Sequence, residues 1–255
     1  MTAVQPPAFA ELHAPPGWGA VDFISDLHLQ PGEPATFAAW RRFMAQSPAD
    51  AIVILGDLFE AWVGDDAAEA PGFEAECAEV LAAAAARAPV FVMHGNRDFL
   101  VGEGLMQRTG ARLLHDPTVL AFGSRRWLLT HGDALCIADT DYQAFRAQVR
   151  DPAWRAGFLA RALEERRTIA RGMREHSEAR SRMATDHADV DEPTAMQWLS
   201  AAQADTLIHG HTHRPADHDM QDGLRRIVLS DWDAARGRME ILRLTNAGAQ
   251  RLRWQ

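Results

Sequence analysis

Five times along this chain a short, largely apolar run stops at a motif of Asp, Asn or His. The runs are residues 20–25, 51–55, 90–93, 127–130 and 206–208. They lead into Asp26-Leu27-His28, Gly56-Asp57, Gly95-Asn96-Arg97-Asp98, His131-Gly132-Asp133 and His209-Gly210-His211-Thr212-His213. Short apolar runs bounded by turn formers read as buried strands. In open α/β sheets, sites form outside the carboxyl ends of the strands. The pattern therefore predicts five strand ends that aim polar groups into one crevice.

The rest of the chain supports α/β layering. After Pro34, the residues Phe37, Trp40, Phe43 and Met44 recur at helical spacing. Residues 74–87 form an alanine-rich helical stretch. Residues 119–122 and 127–130 flank Gly123-Ser124, a hairpin signal, and 227–229 and 239–244 complete the expected strands. Between 139 and about 200 strands disappear, and the pattern turns helical and arginine-rich. The expected organisation is a flexible leader at 1–19, a core from 20–138 and 201–255, and a helical insertion at 139–200.

Composition narrows the function classes. A chain of 255 residues with 47% hydrophobic content can bury a sizeable core. Its formal charge of −9 is a poor electrostatic footprint for a duplex nucleic-acid binder, so no nucleic-acid partner is expected. The charge is uneven: between Arg146 and Arg182 ten arginines face five carboxylates, leaving that stretch net positive. All 26 basic side chains are arginine, which closes any role that needs a lysine. Cys77 and Cys136 lie far apart without metal-ligand spacing and read as reduced thiols of a cytosolic protein. Residues 1–19 have no basic start and no long apolar run, and they hold Pro6, Pro7, Pro15 and Pro16, which does not match a secretory signal. No stretch approaches the ~20 apolar residues of a membrane span, so any membrane contact would be peripheral.

The residue types in the five motifs point to metal chemistry. Alternate residues of an extended segment face one side, so Asp26 and His28 can hold one cation together, as can His211 and His213. Asp57 has two carboxylate oxygens and can bridge two ions. Imidazole, carboxylate and the Asn96 amide oxygen make a mixed N/O shell suited to Mn, Fe or Zn. Each motif alone is weak, since Asp-x-His or Gly-Asp after a strand is commonly a turn, and Gly-Asn-Arg-Asp can be a turn with a helix cap. Their conjunction points to a metal centre of Asp26, His28, Asp57, Asn96, His131, His211 and His213. His209 reads as part of its strand or as a support for the ligands.

These motifs resemble those of the calcineurin-like metallophosphoesterases, whose series runs Asp-x-His, Gly-Asp, Gly-Asn-His/Arg, His-Gly-Asp and Gly-His-x-His. The resemblance covers about residues 20–245. Within the family the chain looks most like the branch that hydrolyses a UDP-linked diacylated glucosamine in lipid A biosynthesis. Glu60-Ala61-Trp62-Val63-Gly64-Asp65-Asp66, Arg97 in place of the usual histidine, and Tyr142-Gln143-Ala144-Phe145-Arg146 carry that closer likeness.

The resemblance implies a four-layer αββα metallophosphoesterase sandwich in which the helical insertion forms a lid over the active site. It implies two divalent metal ions, with Mn2+ expected. One would be held by Asp26, His28, Asp57 and His213, the other by Asp57, Asn96, His131 and His211. Asn96, Arg97 and His211 would also meet the phosphates as catalytic groups. Asp139 and Ser177 match family positions that contact the nucleotide and the glucosamine phosphate, and a further Asn position falls at Arg180 or Ser181. The family's lysine has no counterpart, which leaves Arg180 or Arg182 to substitute. Ser230 stands where the branch is expected to carry glycine. The implied reaction is water attack on the α-phosphorus of the pyrophosphate, giving UMP and the diacylated sugar 1-phosphate. The implied setting is a monomer, cytoplasmic and peripheral on the inner membrane of a Gram-negative bacterium, with a lipid-linked nucleotide substrate and contact to an anionic membrane surface. Trp154, Phe158, Leu159, Leu163, Ile169 and Met173 would take acyl chains while the arginines meet headgroups; periodicity alone favours a helical hairpin packed on itself with a solvated arginine face, and the resemblance reverses that preference. The competing readings are another calcineurin-like phosphodiesterase or phosphatase with a different ester, and a metal-free scaffold. Filled ligand positions speak against the scaffold, and the apolar, basic insertion speaks for a lipid phosphate.

Overall fold

A computed structural model describes residues 6–183 and 189–254, without the side chains of 175–183. Its strands are β1 (Ala10–His13), β2 (Ala20–Ile24), β3 (Ala51–Leu55), β4 (Val90–Met93), β5 (Arg112–Leu114), β6 (Thr118–Phe122), β7 (Arg125–Leu129), β8 (Thr206–His209), β9 (Ala216–Asp219), β10 (Arg225–Val228), β11 (Glu240–Thr245) and β12 (Gly248–Arg253). They form two sheets, one in the order β12-β11-β2-β3-β4-β5 and the other β1-β6-β7-β8-β10-β9. The helices are α1 (Pro34–Gln46), α2 (Phe73–Ala85), α3 (Glu103–Thr109), α4 (Thr140–Arg150), α5 (Pro152–Leu159), α6 (Leu163–Met183) and α7 (Glu192–Ala202).

The apolar runs are continuous because their strands are covered on both faces. In β3, Ile52 and Ile54 pack with Trp40 and Phe43 of α1, Leu81 of α2 and Leu105 of α3. The alternate residues Ala51, Val53 and Leu55 pack against Trp127, Leu129, Ile208 and Ile227 of the other sheet. The outer face of that second sheet carries Val119, Leu128 and Leu207, buried under Ala195, Trp198, Leu199 and Ala202 of α7. The order of layers is helices, sheet, sheet, helix, which is the expected αββα sandwich.

Three features differ from the sequence expectation. Residues 10–13 of the supposed leader form β1, which pairs in parallel with β6 from Ala10↔Thr118 to His13↔Ala121. The alternation of exposed and half-buried residues in Ala10–His13 is too short to stand out beside the prolines. Residues 1–5 lie outside the described residues. Helix α7 falls inside the expected insertion yet supplies the outer layer of the sandwich, so the segments that leave the layers are α4, α5 and α6. Short strands β5, β9 and β12 are additions to the expected set, because β9 and β12 alternate weakly with charge and lie at sheet edges.

The departing helices are tied back to the sandwich by ion pairs. Asp133, wholly buried, accepts from Tyr142 Oη at 2.5 Å and from Arg146 Nε at 2.8 Å. The Asp of His131-Gly132-Asp133 thus anchors α4. On α6, Arg166 donates to the Val63 carbonyl at 2.6 Å and pairs with Asp66. Among the described residues, no helix is long and apolar enough to cross a membrane.

Candidate metal centre

The five motifs meet at one end of the two sheets. From the first sheet come Asp26 and His28 after β2, Asp57 after β3 and Asn96 after β4; from the second come His131 after β7 and His211 and His213 after β8. The backbone bends sharply to present them. Asp26, His28, Asp57, His211 and His213 all sit at positive φ, between 48° and 65°, and only Gln203 and Asp222 share that property among non-glycine residues described. Such conformations are costly for residues with a Cβ and concentrate at functional sites. Glycines make room for the carboxylates. A Cβ on Gly95 would collide with Oδ1 and the backbone nitrogen of Asp57, and one on Gly210 would collide with Asp26 Oδ2 and Ser25 Oγ.

The donor atoms fall into two groups. In the first, His28 Nε2 and His213 Nε2 face each other at 3.2 Å, His213 Nε2 lies 3.4 Å from Asp26 Oδ1, and His28 Nε2 lies 3.9 Å from Asp57 Oδ2. In the second, Asn96 Oδ1 lies 3.0 Å from His131 Nε2 and 2.9 Å from His211 Nδ1, and His131 Nε2 is 3.8 Å from Asp57 Oδ1. The two Asp57 oxygens thus face different groups. Donor atoms of Asp26, His28 and His213, and those of Asp26, Asp57 and His131, lie within 4.8 Å of one another.

The electrostatics of this cluster call for a cation. Asp26 and Asp57 are 0% and 2% exposed, and two buried carboxylates are expensive unless positive charge meets them. Burial alone would raise Asp26, yet the His213 hydrogen bond and the charges of His213, His131 and His28 hold it well below the usual carboxylate range. Burial opposes a charge on His131, but Asp57, Asp26 and Asp133 outweigh it and push that imidazole up to about 9. A proton or a metal ion must stand among these groups. His131 Nδ1 is occupied by the Leu55 carbonyl at 2.9 Å, so Nε2 is the nitrogen turned to the cluster. Imidazole nitrogens, carboxylates and one amide oxygen, each converging on the others, fit divalent cations with mixed N/O preference.

A family comparison decides what such a centre belongs to. The calcineurin-like phosphoesterase model matches residues 20–215, which spans every one of the seven donor residues. This chain is a calcineurin-like phosphoesterase. It is an enzyme of the metal-dependent hydrolase class, and the family uses divalent metal. Curated relatives of this phosphoesterase include the UDP-2,3-diacylglucosamine hydrolase of Chromobacterium violaceum, 48% identical over 227 residues, covering 86% of this chain and 92% of the relative. The proteins of the same name from Xanthomonas axonopodis pv. citri and Stenotrophomonas maltophilia are 48% and 47% identical, each covering 82% of this chain and 90% of the relative.

The other expected site residues are scattered. Arg97 adjoins the centre: its backbone N–H donates to Asp57 Oδ1 at 2.8 Å, and its guanidinium pairs with Glu60 at 2.8 Å. Asp139 sits at the N-terminus of α4, where Oδ1 accepts from the Tyr142 backbone at 2.9 Å. Ser177, Arg180 and Ser181 fall on α6 where side chains lie outside the described residues. His209 stays within β8, fully buried, with Nδ1 2.8 Å from the Gly210 carbonyl, and burial pushes it down to about 3.

Several supporting residues have roles that the motif pattern does not reveal. Ser25 Oγ donates to Asp26 Oδ2 at 2.6 Å. Asp98 accepts from the backbone of Leu58 and Gly95, and burial with the nearby Asp57 charge raises it to about 6. Tyr142 stacks on His211 with ring centroids 6.0 Å apart. Glu60 stands in the sequence only as one letter of a longer motif; an acid amid Leu58, Phe59, Ala61 and Trp62 is the signal that marks it as buried for a reason.

Proposed function

We propose that the chain hydrolyses the pyrophosphate bond of UDP-2,3-diacylglucosamine, giving UMP and 2,3-diacylglucosamine 1-phosphate, with two Mn2+ ions in the centre. The observation that carries this reading is an apolar cavity that opens directly onto the donor cluster. It has a volume of ≈ 320 Å³ and shares Asn96 and Arg97 with the site, while Trp62, Phe99, Leu100, Trp154, Phe158 and Met173 line its walls. Apolar walls meeting phosphate-binding groups suit a substrate that is a lipid at one end and a nucleotide diphosphate at the other.

In this reading Asp26, His28, Asp57 and His213 would hold one ion, and Asp57, Asn96, His131 and His211 would hold the other. Bound there, divalent ions supply Lewis acidity and a strong nucleophile from water at neutral pH. The chain's own residues do the positioning. Asn96, Arg97 and His211 would meet the α-phosphate and stabilise the charge that builds on its oxygens. Arg97 carries a fixed cation to the site, and Tyr142 braces His211 from the side. Helices α4–α6 act as the lid over the acyl chains and exclude water from the reacting phosphate.

Membrane contact through the same helices completes the reading. The large apolar side chains most exposed among the described residues are Leu159 at 39% and Met173 at 37%, both on this excursion. With the surrounding arginines they suit shallow insertion into an anionic leaflet from the cytoplasmic side. Leu159→Glu together with Arg171→Glu is expected to reduce sedimentation with anionic vesicles and leave neutral vesicles unaffected. Unchanged sedimentation with anionic vesicles removes the membrane-facing assignment.

The substrate is tested by comparing UDP-2,3-diacylglucosamine, unacylated UDP-GlcNAc, an aryl phosphate and cyclic AMP with Mn2+ present. The diacylated nucleotide is expected to be turned over best, and Asp57→Ala or His211→Ala to lose at least ~100-fold of that activity while melting cooperatively. Preference for the aryl phosphate would overturn the substrate assignment.

A further inference from the structure

Glu60 occupies an unusual place in this molecule. It lies three residues beyond Asp57, is 7% exposed, and touches three separate parts of the chain. Oε2 lies 3.1 Å from Nδ1 of His28, on the loop after β2. Oε1 lies 2.8 Å from Nη1 of Arg97, on the loop after β4, and 2.6 Å from Nε of Arg174, on α6. Arg174 also reaches the Gln30 side chain at 3.3 Å. Both carboxylate oxygens are thus committed, one to the metal centre and one to two guanidinium groups.

We infer that Glu60 is a positioning residue that couples docking of the lid helix α6 to the geometry of the metal centre. This rests on the two-metal reading above and extends it to a residue outside the donor set.

The physical argument has two halves. Glu60 Oε2 lies 3.1 Å from Nδ1 of His28 as a charge contact without hydrogen-bond geometry, and a carboxylate beside Nδ1 favours the proton on that nitrogen, leaving the Nε2 lone pair for the ion. On the other side, Arg97 stands between Glu60 and the phosphate. When Arg97 turns toward phosphate, Glu60 would lose its countercharge in a buried setting, which is costly. Arg174, delivered by α6, keeps Oε1 compensated through that exchange. A docked lid therefore frees Arg97 for the substrate and holds Glu60 still against His28. An undocked lid leaves Oε1 with the Arg97 guanidinium and without that of Arg174. Arg166, about two turns earlier on α6, fixes the base of the helix on Val63 and Asp66, so Arg174 reports on the part of the helix above it.

Coupling of this kind is reciprocal: if the lid alters the centre, filling the centre alters the lid. The test uses the whole chain and Mn2+ alone, without substrate. Glu60→Gln preserves size but replaces one acceptor by an NH2 group. That group must face either the His28 Nδ1 proton or two guanidiniums, and both are donors. The variant is expected to bind Mn2+ at least ~10-fold more weakly by calorimetric titration. In the wild-type chain, Mn2+ is expected to slow hydrogen exchange in residues 163–174; in Glu60→Gln at saturating Mn2+ that response is expected to disappear. Arg174→Gln is expected to lose the exchange response and to bind Mn2+ more weakly than the wild-type chain but more tightly than Glu60→Gln. A residue that merely stabilised the fold would shift exchange with and without Mn2+ alike. Mn2+ affinity within twofold of wild type in Glu60→Gln, or an unaltered exchange response in either variant, overturns the coupling. A wild-type chain that binds no Mn2+ overturns the centre and this inference together. A wild-type chain that binds Mn2+ but spares UDP-2,3-diacylglucosamine overturns only the substrate assignment.

Discussion

Gly95 has no side chain, and Asp57 fills the space one would need. A Cβ there would meet the Asp57 backbone and lie 2.7 Å from its Cγ, so neither partner can yield without moving the carboxylate that faces both donor groups. Gly95→Ala is expected to weaken Mn2+ binding more than ~10-fold in a folded protein, measured by titration. Gly172, set inside α6 with nothing within 4 Å of the place a methyl carbon would take, is the contrast: Gly172→Ala should stabilise that helix by about 0.5–1 kcal/mol. The same scale carries a pH effect. Asp50 accepts from the backbone N–H of Gly19 at 2.7 Å and of Ala20 at 2.9 Å, and the bonds from Ala20 and Gly19 hold it below the usual carboxylate range. A depressed folded-state value means its stabilisation is present above the unfolded value of about 3.9 and is lost as pH falls through the folded one. Asp50→Ala is therefore expected to lower the melting temperature by about 2 °C at pH 7 and to converge with the parent as pH drops toward the folded value. The donor residues were legible in the sequence because each follows a strand. Asp50 and Glu60 were not, because their partners lie across loops that local spacing does not connect; Asp98 stood within its motif, but its bond to Leu58 could not be read from it.

Helix α6 shows how a single element can be legible in type and illegible in attachment. Its arginine-rich, helical pattern was plain, but the partners of those arginines are spread over several elements: Val63 and Asp66 after β3 for Arg166, Glu74 of α2 for Arg167, and Gln30 after β2 with Glu60 after β3 for Arg174. Arg166 is almost wholly buried, donates to the Val63 and Arg161 carbonyls and pairs with Asp66. Removing a buried cation's partners or the cation itself costs about 2 kcal/mol or more. Arg166→Met keeps the apolar stem and loses the bonds. It is expected to expose Arg167 and Arg171 to trypsin faster than in the parent while the cooperative melt of the sandwich changes little. Equal cleavage rates would show that α6 is held elsewhere. The boundary of the excursion is hidden for a related reason: α7 continues the helical period, and only its apolar contacts with β6, β7 and β8 reveal that it is a layer of the sandwich. Periodicity reports that a helix has a buried face, not what buries it.

At the scale of the molecule, two sheets face each other and each must end somewhere. The second sheet ends at β1, a strand that composition disguised as a loose leader. Its contribution is physical rather than decorative. Leu12 packs against the core between the sheets, Phe9 meets Trp198 of α7 with ring centroids 6.3 Å apart, and Glu11 pairs with Arg126 at 2.8 Å. Without β1 the edge of β6 would present its unpaired backbone groups to solvent, the arrangement that invites edge-to-edge association. Deleting residues 1–14 is therefore expected to cost about 2–3 kcal/mol for the partly buried Leu12 and Phe9, or a melting temperature lower by roughly 5–10 °C. Light scattering should show association that grows with concentration. The metal centre lies beyond β7 and β8, with β6 between them and β1, so Mn2+ binding per folded molecule is expected to persist. A deletion that melts with the parent would mean that β1 is carried by the sheet and adds nothing to it. A deletion that loses Mn2+ binding while still folded would mean that the edge strand sets the spacing of the strands that deliver His131 and His211.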